Sequence, residues 1–174
     1  MTDRHGIVTE SGAVRFQRLL PAPPERVWDY LTRSELRRTW FAGGEMDLRP
    51  GGALMFVFRN SELSHHDEEM PERFREYEGM ESPGKVLAVD RPRRLVHLWG
   101  EEELVWELEP QGENTLLTLT HSRLKDRAMR VDVSAGWHIH FDMLEDLLAG
   151  RTPRPFWSTQ AGYEKDYEAR VPAE

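Results

Sequence analysis

The sequence contains no cysteine, only three lysines and no long apolar run. Without cysteine the chain forms no disulfide, has no thiolate nucleophile and offers no cysteine ligand for zinc. No window approaches the ~18 apolar residues that a membrane span requires, and residues 1–10 lack the apolar core of a signal peptide. We therefore expect a cytoplasmic protein without membrane insertion. Arginine supplies 20 of the 23 basic residues, a bias that is typical of a GC-rich bacterial genome.

Acidic residues outnumber basic residues in the sequence. The 174 residues carry 31 acidic and 23 basic side chains, which gives a formal net charge of −8. A protein that binds the phosphate backbone needs a basic face, and we expect Arg91, Arg93 and Arg94 to form only the solvated rim of a turn. No nucleic-acid partner is predicted. A hydrophobic content of 39% and a charged content of 31% fit one globular domain that is long enough to bury a core.

A short amphipathic helix is predicted at 24–32. Pro24 suits the first helical position, because its φ angle is already helical and its missing N–H would be unpaired there. Glu25 lies in the first turn, where the helix dipole favours negative charge. One face of the helix then carries apolar side chains at helical spacing, namely Val27, Tyr30 and Leu31.

Most of the other predicted elements are strands. Glycine and proline clusters at 43–44 and 50–52 indicate turns, and 110–114 supplies another. Because few helices separate these strands, we predict an antiparallel meander of six or seven strands. The expected elements are a strand at 13–20, the helix, a helical turn at 34–40, strands at 54–58, 84–90, 94–99, 103–109 and 114–121, and a long helix at 135–148.

Two segments are expected to flank the main domain, which spans 13–149 and includes an acidic insert at 61–80. Residues 1–12 are polar and are predicted to be loose. The insert 61–80 carries seven acidic residues against two arginines, so we expect it to be mobile and to form no part of the core. Residues 150–174 are predicted to form a C-terminal extension that packs on the domain.

Strand alternation and helical spacing predict which side chains face the interior. His140 lies at the edge of the apolar stripe of the long helix, whereas His138 and Asp142 are expected to point outward. The acidic pair Glu145 and Asp146 is expected on the surface. The predicted inward residues are Leu95, His97 and Trp99, then Leu104, Trp106 and Leu108, then Leu117, Leu119 and His121, and on the long helix Trp137, Phe141, Leu144 and Leu148.

His97, His121 and His140 are thereby predicted to approach the interior from three separate elements. Convergent imidazoles bind zinc or transfer protons, but backbone carbonyls or water also satisfy buried histidines, and we expect no metal. The cluster His65-His66-Asp67 is expected to be a solvated loop. The sequence has no nucleophile elbow, Walker loop, Rossmann glycines or His-Glu-x-x-His. No cofactor is therefore expected, and the catalytic residues of any enzyme stay unassigned.

The ordered pattern resembles the START-like (SRPBCC) superfamily. The resemblance rests on PPERVW at 23–28, TWF at 39–41, GKVLAVDRPRRLV at 84–96 and GW at 136–137 with spaced leucines after it. Within the superfamily, the match is to the branch named after the activator of the heat-shock-protein-90 ATPase. The resemblance implies an α+β helix-grip fold, as in START-like and pollen-allergen-like proteins. In that fold a curved antiparallel sheet of six to seven strands surrounds a long C-terminal helix, with a cavity between them.

The resemblance also implies three functions. The leading hypothesis is a module that binds a small apolar or aromatic ligand in the cavity. The second is an enzyme of the cyclase, dehydratase or hydrolase type, with His97, His121 or His140 as acid or base and Asp142 as a poorer fourth candidate. The third is regulation of a chaperone ATPase, which in the family depends on an additional domain for which we expect no room here. A homodimer is left open.

The cavity that the resemblance implies would be lined by aromatic rings. The same rings suit a plain core, so the residues alone do not decide between core and cavity. The polar end of a ligand is expected to meet His140, because burial favours the neutral imidazole, which both donates and accepts. The expected lining residues are Trp40, Phe56, Phe58, Trp99, Trp106, His121, Trp137, His140, Phe141 and Leu144.

Overall fold

An antiparallel sheet of seven strands packs around a long helix in the computed structural model, which describes residues 3–174. The strands are β1 (Ile7–Val8), β2 (Val14–Leu20), β3 (Ala53–Val57), β4 (Glu81–Asp90), β5 (Arg94–Trp99), β6 (Glu102–Gln111) and β7 (Asn114–Ser122). Their order across the sheet is β1-β2-β7-β6-β5-β4-β3, with every neighbouring pair antiparallel. The predicted helix-grip fold is confirmed.

Four α-helices accompany the sheet among the described residues, and they are α1 (Pro24–Thr32), α2 (Ser34–Arg37), α3 (Arg127–Leu148) and α4 (Phe156–Arg170). Helix α1 begins at Pro24, as predicted. Helix α3 begins after Asp126, whose carboxylate accepts from the Met129 amide at 2.9 Å and so caps the first turn. Between residues 3 and 174 no helix has the length and apolarity of a membrane span.

Register places the predicted inward residues of β6 and β7 on one face. Leu104 lies opposite His121, and Trp106 lies opposite Leu119. These four side chains are at most 1% exposed. The opposite face carries Glu107, Thr118 and Thr120 together with the partly buried Val105 and Leu116, so the period-two pattern predicted the buried face correctly.

Helix α3 is buried on two faces rather than one. The stripe that contains Trp137 and Phe141 packs against the sheet, as predicted. The outer face carries His138, Asp142 and Asp146, which were expected to be exposed but are only 2%, 0% and 3% exposed. The expectation was wrong because α4 and the N-terminal residues cover this face, and helical spacing in α3 alone does not indicate a second covering layer.

The N-terminal residues differ from the loose segment that we expected. Ile7 and Val8 pair with β2. The guanidinium of Arg4 donates to the Asp142 carboxylate at 2.8 Å, and the Gly6 amide donates to the Tyr167 hydroxyl at 2.8 Å. These partners come from α3 and α4, which is why the polar composition of residues 1–12 gave no indication of them.

The insert 61–80 also differs from its expected description, since it contributes to the core. Leu63 is only 2% exposed. The carboxylate of Glu68 accepts from the backbone amides of Trp157 and Ser158 at 3.2 and 3.0 Å. Helix α4 has no capping side chain at its own N-cap residue, Pro155, so Glu68 takes that role from a distant part of the chain. Two short 3-10 helices, Asn60–Glu62 and Glu72–Tyr77, complete the segment.

We predict that Trp106→Ala and Phe141→Ala each lower the free energy of unfolding by about 3–5 kcal/mol, because each removes a fully buried ring and leaves a cavity. Denaturant midpoints measure the loss. Leu19→Ala is the control, since Leu19 is 50% exposed and its truncation should change the midpoint little. Unchanged midpoints for the two aromatic variants would contradict the packing described above.

Candidate functional site

A cavity of about 670 Å³ lies between one end of the sheet, α3 and α4. Its walls come from the loop after α2, the segment from the end of β3 through the insert to the start of β4, the ends of β5 and β7, the start of β6, α3 as far as His140, and α4. The residues that line it are Phe41, Phe58, Asn60, Arg73, Phe74, Glu76, Tyr77, Met80, Ser82, Trp99, Glu102, His121, Met129, Asp132, Val133, Gly136, Trp137, His140, Gln160 and Glu164.

Aromatic rings form one wall of the cavity. Phe58 and Trp99 stack with ring centroids 5.5 Å apart and planes 19° apart. Phe41 contacts both Trp99 and Trp137, at centroid distances of 5.8 and 4.7 Å. On the insert side, Phe74 packs against Trp157 of α4 at 5.3 Å. The wall is therefore built from rings that support one another, and it does not depend on a ligand for its shape.

The position of Phe41 depends on a buried guanidinium. Arg37, at 1% exposure, donates to the carbonyl of Ala42 at 2.9 Å, to those of Thr32 and Leu31 at 3.2 and 3.3 Å, and to that of Gly44. Burial lowers the pKa of Arg37 to about 10. By satisfying carbonyls on both sides of the bend, Arg37 holds the chain that carries Trp40 and Phe41. Sequence reasoning missed this role, because an arginine at the end of a short helix usually lies on the surface.

His121 is held between the cavity wall and its rim. The Trp137 indole donates to His121 Nδ1 at 2.9 Å, and His121 Nε2 lies 2.6 Å from the Glu102 carboxylate. Because indole only donates, Nδ1 carries no proton and Nε2 donates to Glu102. Both nitrogens are therefore engaged, and the chain from Trp137 to Glu102 fixes the ring.

His97 is satisfied in a similar way but lies deeper. The Trp106 indole donates to His97 Nε2 at 3.0 Å, and Nδ1 donates to the Leu98 carbonyl at 3.2 Å. Burial lowers the pKa of His97 to about 4. The ring is neutral at physiological pH, has no free nitrogen, and does not line the cavity.

His140 differs from the other two histidines. Its Nδ1 donates to the Trp40 carbonyl at 2.7 Å, and burial lowers its pKa to about 4. The ring is therefore neutral with its lone pair on Nε2, which has no partner among residues 3–174. His140 lines the cavity, so this nitrogen is an acceptor that is available to a bound molecule.

The histidines do not form a metal site in this arrangement, since His97 and His121 use both ring nitrogens. More broadly, no three His, Asp or Glu side chains within 3–174 lie together as a set of metal ligands. In the loop cluster His65-His66-Asp67, the Nε2 atom of His66 donates to the Pro153 carbonyl at 2.9 Å.

The predicted site residues divide into two groups. Phe58, Trp99, His121, Trp137 and His140 line the cavity. The other five are in the core and are at most 2% exposed, namely Trp40, Phe56, Trp106, Phe141 and Leu144. The physical reason is that the sheet and α3 are in direct contact around Trp106, whose ring lies 6.1 Å from that of Phe141, and they separate only nearer the N-terminus of α3.

Several lining residues were missed by sequence reasoning. Phe41 carried a signal, since it follows Trp40 in the family pattern. Phe74 and Met80 come from the insert, and Gln160 and Glu164 come from α4. Nothing in the periodicity of either segment indicates that they close a cavity formed by distant strands, so only the tertiary structure shows it.

Comparison with known families and with solved structures agrees with the observed fold. The family model described as activator of Hsp90 ATPase homolog 1-like protein matches residues 21–149. A Bordetella parapertussis protein encoded by gene BPP1335, solved by NMR, is 39% identical over 99% of this chain and 93% of that chain, with a TM-score of 0.81. A comparison with curated proteins gives no match.

More distant structures share the fold. CalU16 from Micromonospora echinospora is 22% identical, with 97% of this chain and 96% of that chain covered and a TM-score of 0.67. The protein EF2215 from Enterococcus faecalis is 18% identical, with 95% and 88% covered and a TM-score of 0.68.

We predict that stability falls as the pH is lowered from about 6.5 towards 4. In that range an unfolded histidine gains a proton that buried His140 and His97, with pKa values of about 4, do not accept. At pH 5 each ring should contribute a loss of about 2 kcal/mol relative to neutral pH. Denaturant unfolding at both pH values measures it.

One variant distinguishes the contribution of His140 to this pH dependence from that of the carboxylates, which also titrate at low pH. His140→Gln keeps a donor for the Trp40 carbonyl, and its stability should fall less between neutral pH and pH 5 than that of the wild type. His65→Gln, in an exposed loop, is the control and should follow the wild type. Equal losses for all three proteins would contradict a buried neutral His140.

Proposed function

Because this chain belongs to the family of activator of Hsp90 ATPase homolog 1-like proteins, we propose that it is a START-like domain that binds a small apolar or aromatic molecule between the sheet and α3. The family defines the fold but not the ligand, since one fold carries many functions. The proposal therefore depends on the cavity.

The observation that carries the proposal is the size and wall of the cavity. Its volume of about 670 Å³ lies within the roughly 300–1,000 Å³ of small-molecule sites. Rings of Phe41, Phe58, Trp99 and Trp137 form one side, and polar side chains line the other. Such a wall offers apolar contact area together with groups that orient a bound molecule, as ligand sites do.

Exposed apolar side chains at the cavity support the same proposal. Tyr77 and Met80, both in the insert, are 45% and 41% exposed. They line the cavity beside Phe74. Large apolar groups left in water cost free energy, and a bound apolar molecule would shield them. The insert thus supplies part of the binding surface.

A proton-transfer enzyme is the second candidate, and the free Nε2 of His140 favours it. The imidazole faces an apolar cavity in its neutral form, as a general base must. However, a pKa of about 4 makes it a weak base at neutral pH, because general bases work best with a pKa near the operating pH. Binding without turnover is therefore the better-supported function. Turnover found in a substrate screen, and reduced by His140→Ala far more than binding is, would reverse this order.

We predict that Gly136→Leu blocks the cavity without harming the fold. Gly136 lines the cavity on α3, and a Cβ built there has no atom within 4 Å. The new side chain should project into the space and weaken binding of naphthylmethanol, a neutral aromatic probe, by roughly tenfold or more. Titration calorimetry or tryptophan fluorescence measures the affinity.

Gly162→Leu is the matched control. Gly162 lies in α4, is exposed, and also has no atom within 4 Å of a built Cβ, but it does not line the cavity. Both variants should fold at least as well as the wild type, because glycine within a helix is unfavourable. The proposed function fails if the wild type binds no small aromatic probe, or if Gly136→Leu binds naphthylmethanol as tightly as the wild type does.

A further inference from the structure

We propose that the ligand of this cavity is an aromatic or apolar cation, such as a protonated amine attached to a ring system. This inference rests on the proposed binding function and specifies the chemical class of the molecule. Three features of the cavity wall support this inference. They are its hydrogen-bond acceptors, its negative charge and its aromatic rings.

Three polar atoms of the wall that have no partner among the described residues are acceptors. His140 presents the lone pair of Nε2, since its proton is on Nδ1. Gln160 is 8% exposed, and its Nε2 donates to Glu164 Oε1 at 2.8 Å. A carboxylate only accepts, so this contact fixes the orientation of the amide. The Gln160 carbonyl oxygen then accepts no hydrogen bond from any residue in 3–174.

Asn60 adds a further acceptor of the same kind. Its carbonyl oxygen is buried and has no donor among the described residues, and the residue lines the cavity. A buried acceptor without a partner costs free energy, which a donor on a ligand recovers once the side chain turns its oxygen toward the cavity. A ligand that carries only acceptors, such as a ketone or a carboxylate, would leave all of these atoms unsatisfied.

Most of the charged side chains that line the cavity are negative. Four carboxylates line the cavity, from Glu76, Glu102, Asp132 and Glu164, against the single guanidinium of Arg73. That guanidinium donates to Glu164 at 2.6 Å, so these two charges compensate each other and three carboxylates remain, those of Glu76, Glu102 and Asp132. Burial, and secondarily the nearby Glu164, raise the pKa of Asp132. A cation in the cavity would oppose this rise in the pKa of Asp132, because it stabilises the ionised carboxylate.

The aromatic side of the wall also favours a cation. The faces of Trp and Phe rings carry negative electrostatic potential and attract ammonium groups. One such contact is present at the edge of the cavity, where the Arg73 guanidinium lies 4.4 Å from the Phe74 ring centroid. A protonated amine can therefore contact rings and acceptors at once, while its own apolar part fills the remaining space.

The test compares three probes with one ring system and different charge, namely naphthylmethylamine, naphthylmethanol and naphthoic acid, at neutral pH. We expect the amine to bind roughly tenfold more tightly than the alcohol, and the acid to bind more weakly than the alcohol. The preference for the amine should shrink at high salt, because exposed charges are screened. An alcohol or acid that binds as tightly as the amine would overturn the inference while the proposed binding function stands.

Two variants locate the preference in the cavity. Asp132→Asn should weaken amine binding roughly threefold and leave alcohol binding unchanged. Glu113→Gln makes the same change in net charge in the exposed β6–β7 turn, away from the lining residues, and should leave both affinities unchanged. If Glu113→Gln weakens amine binding as much as Asp132→Asn does, the effect is one of overall charge and the inference fails. If none of the three probes binds the wild type, both the inference and the proposed function fail.

Discussion

A buried carboxylate, that of Asp142, joins the parts of this fold that the sheet does not connect. Asp142 is 0% exposed and accepts from Arg18 on β2 and Arg4 at the N-terminus, each at 2.8 Å. It also accepts from the Tyr163 hydroxyl on α4, and Arg154 lies 3.3 Å away. Burial alone would raise the pKa of Asp142, but Arg18 and the Tyr163 hydroxyl hold it below its ordinary value. An isolated charge in this position would be strongly destabilising, and these four partners compensate it.

The cavity depends on this arrangement indirectly. Asp142 itself is not a lining residue, yet its partner Tyr163 lies on the same helix as Gln160 and Glu164, which close one side of the cavity. Glu68 holds the start of that helix to the insert. The insert and α4 thus form a connected pair of walls opposite the rings of β5 and α3. A residue that does not line the cavity can therefore control the shape of the cavity.

The sequence predicted those parts of the molecule in which one element has one buried face. The alternation in β6 and β7 placed Trp106 and His121 inward, and the spacing in α3 placed Trp137 and Phe141 against the sheet. It did not predict Asp142, because a second layer of structure on α3 arises from residues remote in the chain. Nor did it separate Trp99 from Trp106, since both alternate correctly and only the divergence of sheet and helix makes one a cavity wall and the other core. Arg37 and Leu63 were missed for the same reason, as their partners are set by tertiary packing.

The polar character of the contact between α3 and α4 has a consequence for the order in which the chain is synthesised. A ribosome releases β2, the insert and α3 before α4 exists, so the outer face of α3 is uncovered for a time. That face carries His138, Asp142 and Asp146 rather than an apolar stripe. Water can solvate these groups until the final helix arrives, whereas the large apolar side chains of this contact, Phe156, Trp157 and Tyr167, are on α4 and emerge last. A chain that still lacks α4 therefore exposes polar groups rather than an apolar surface on this face of α3.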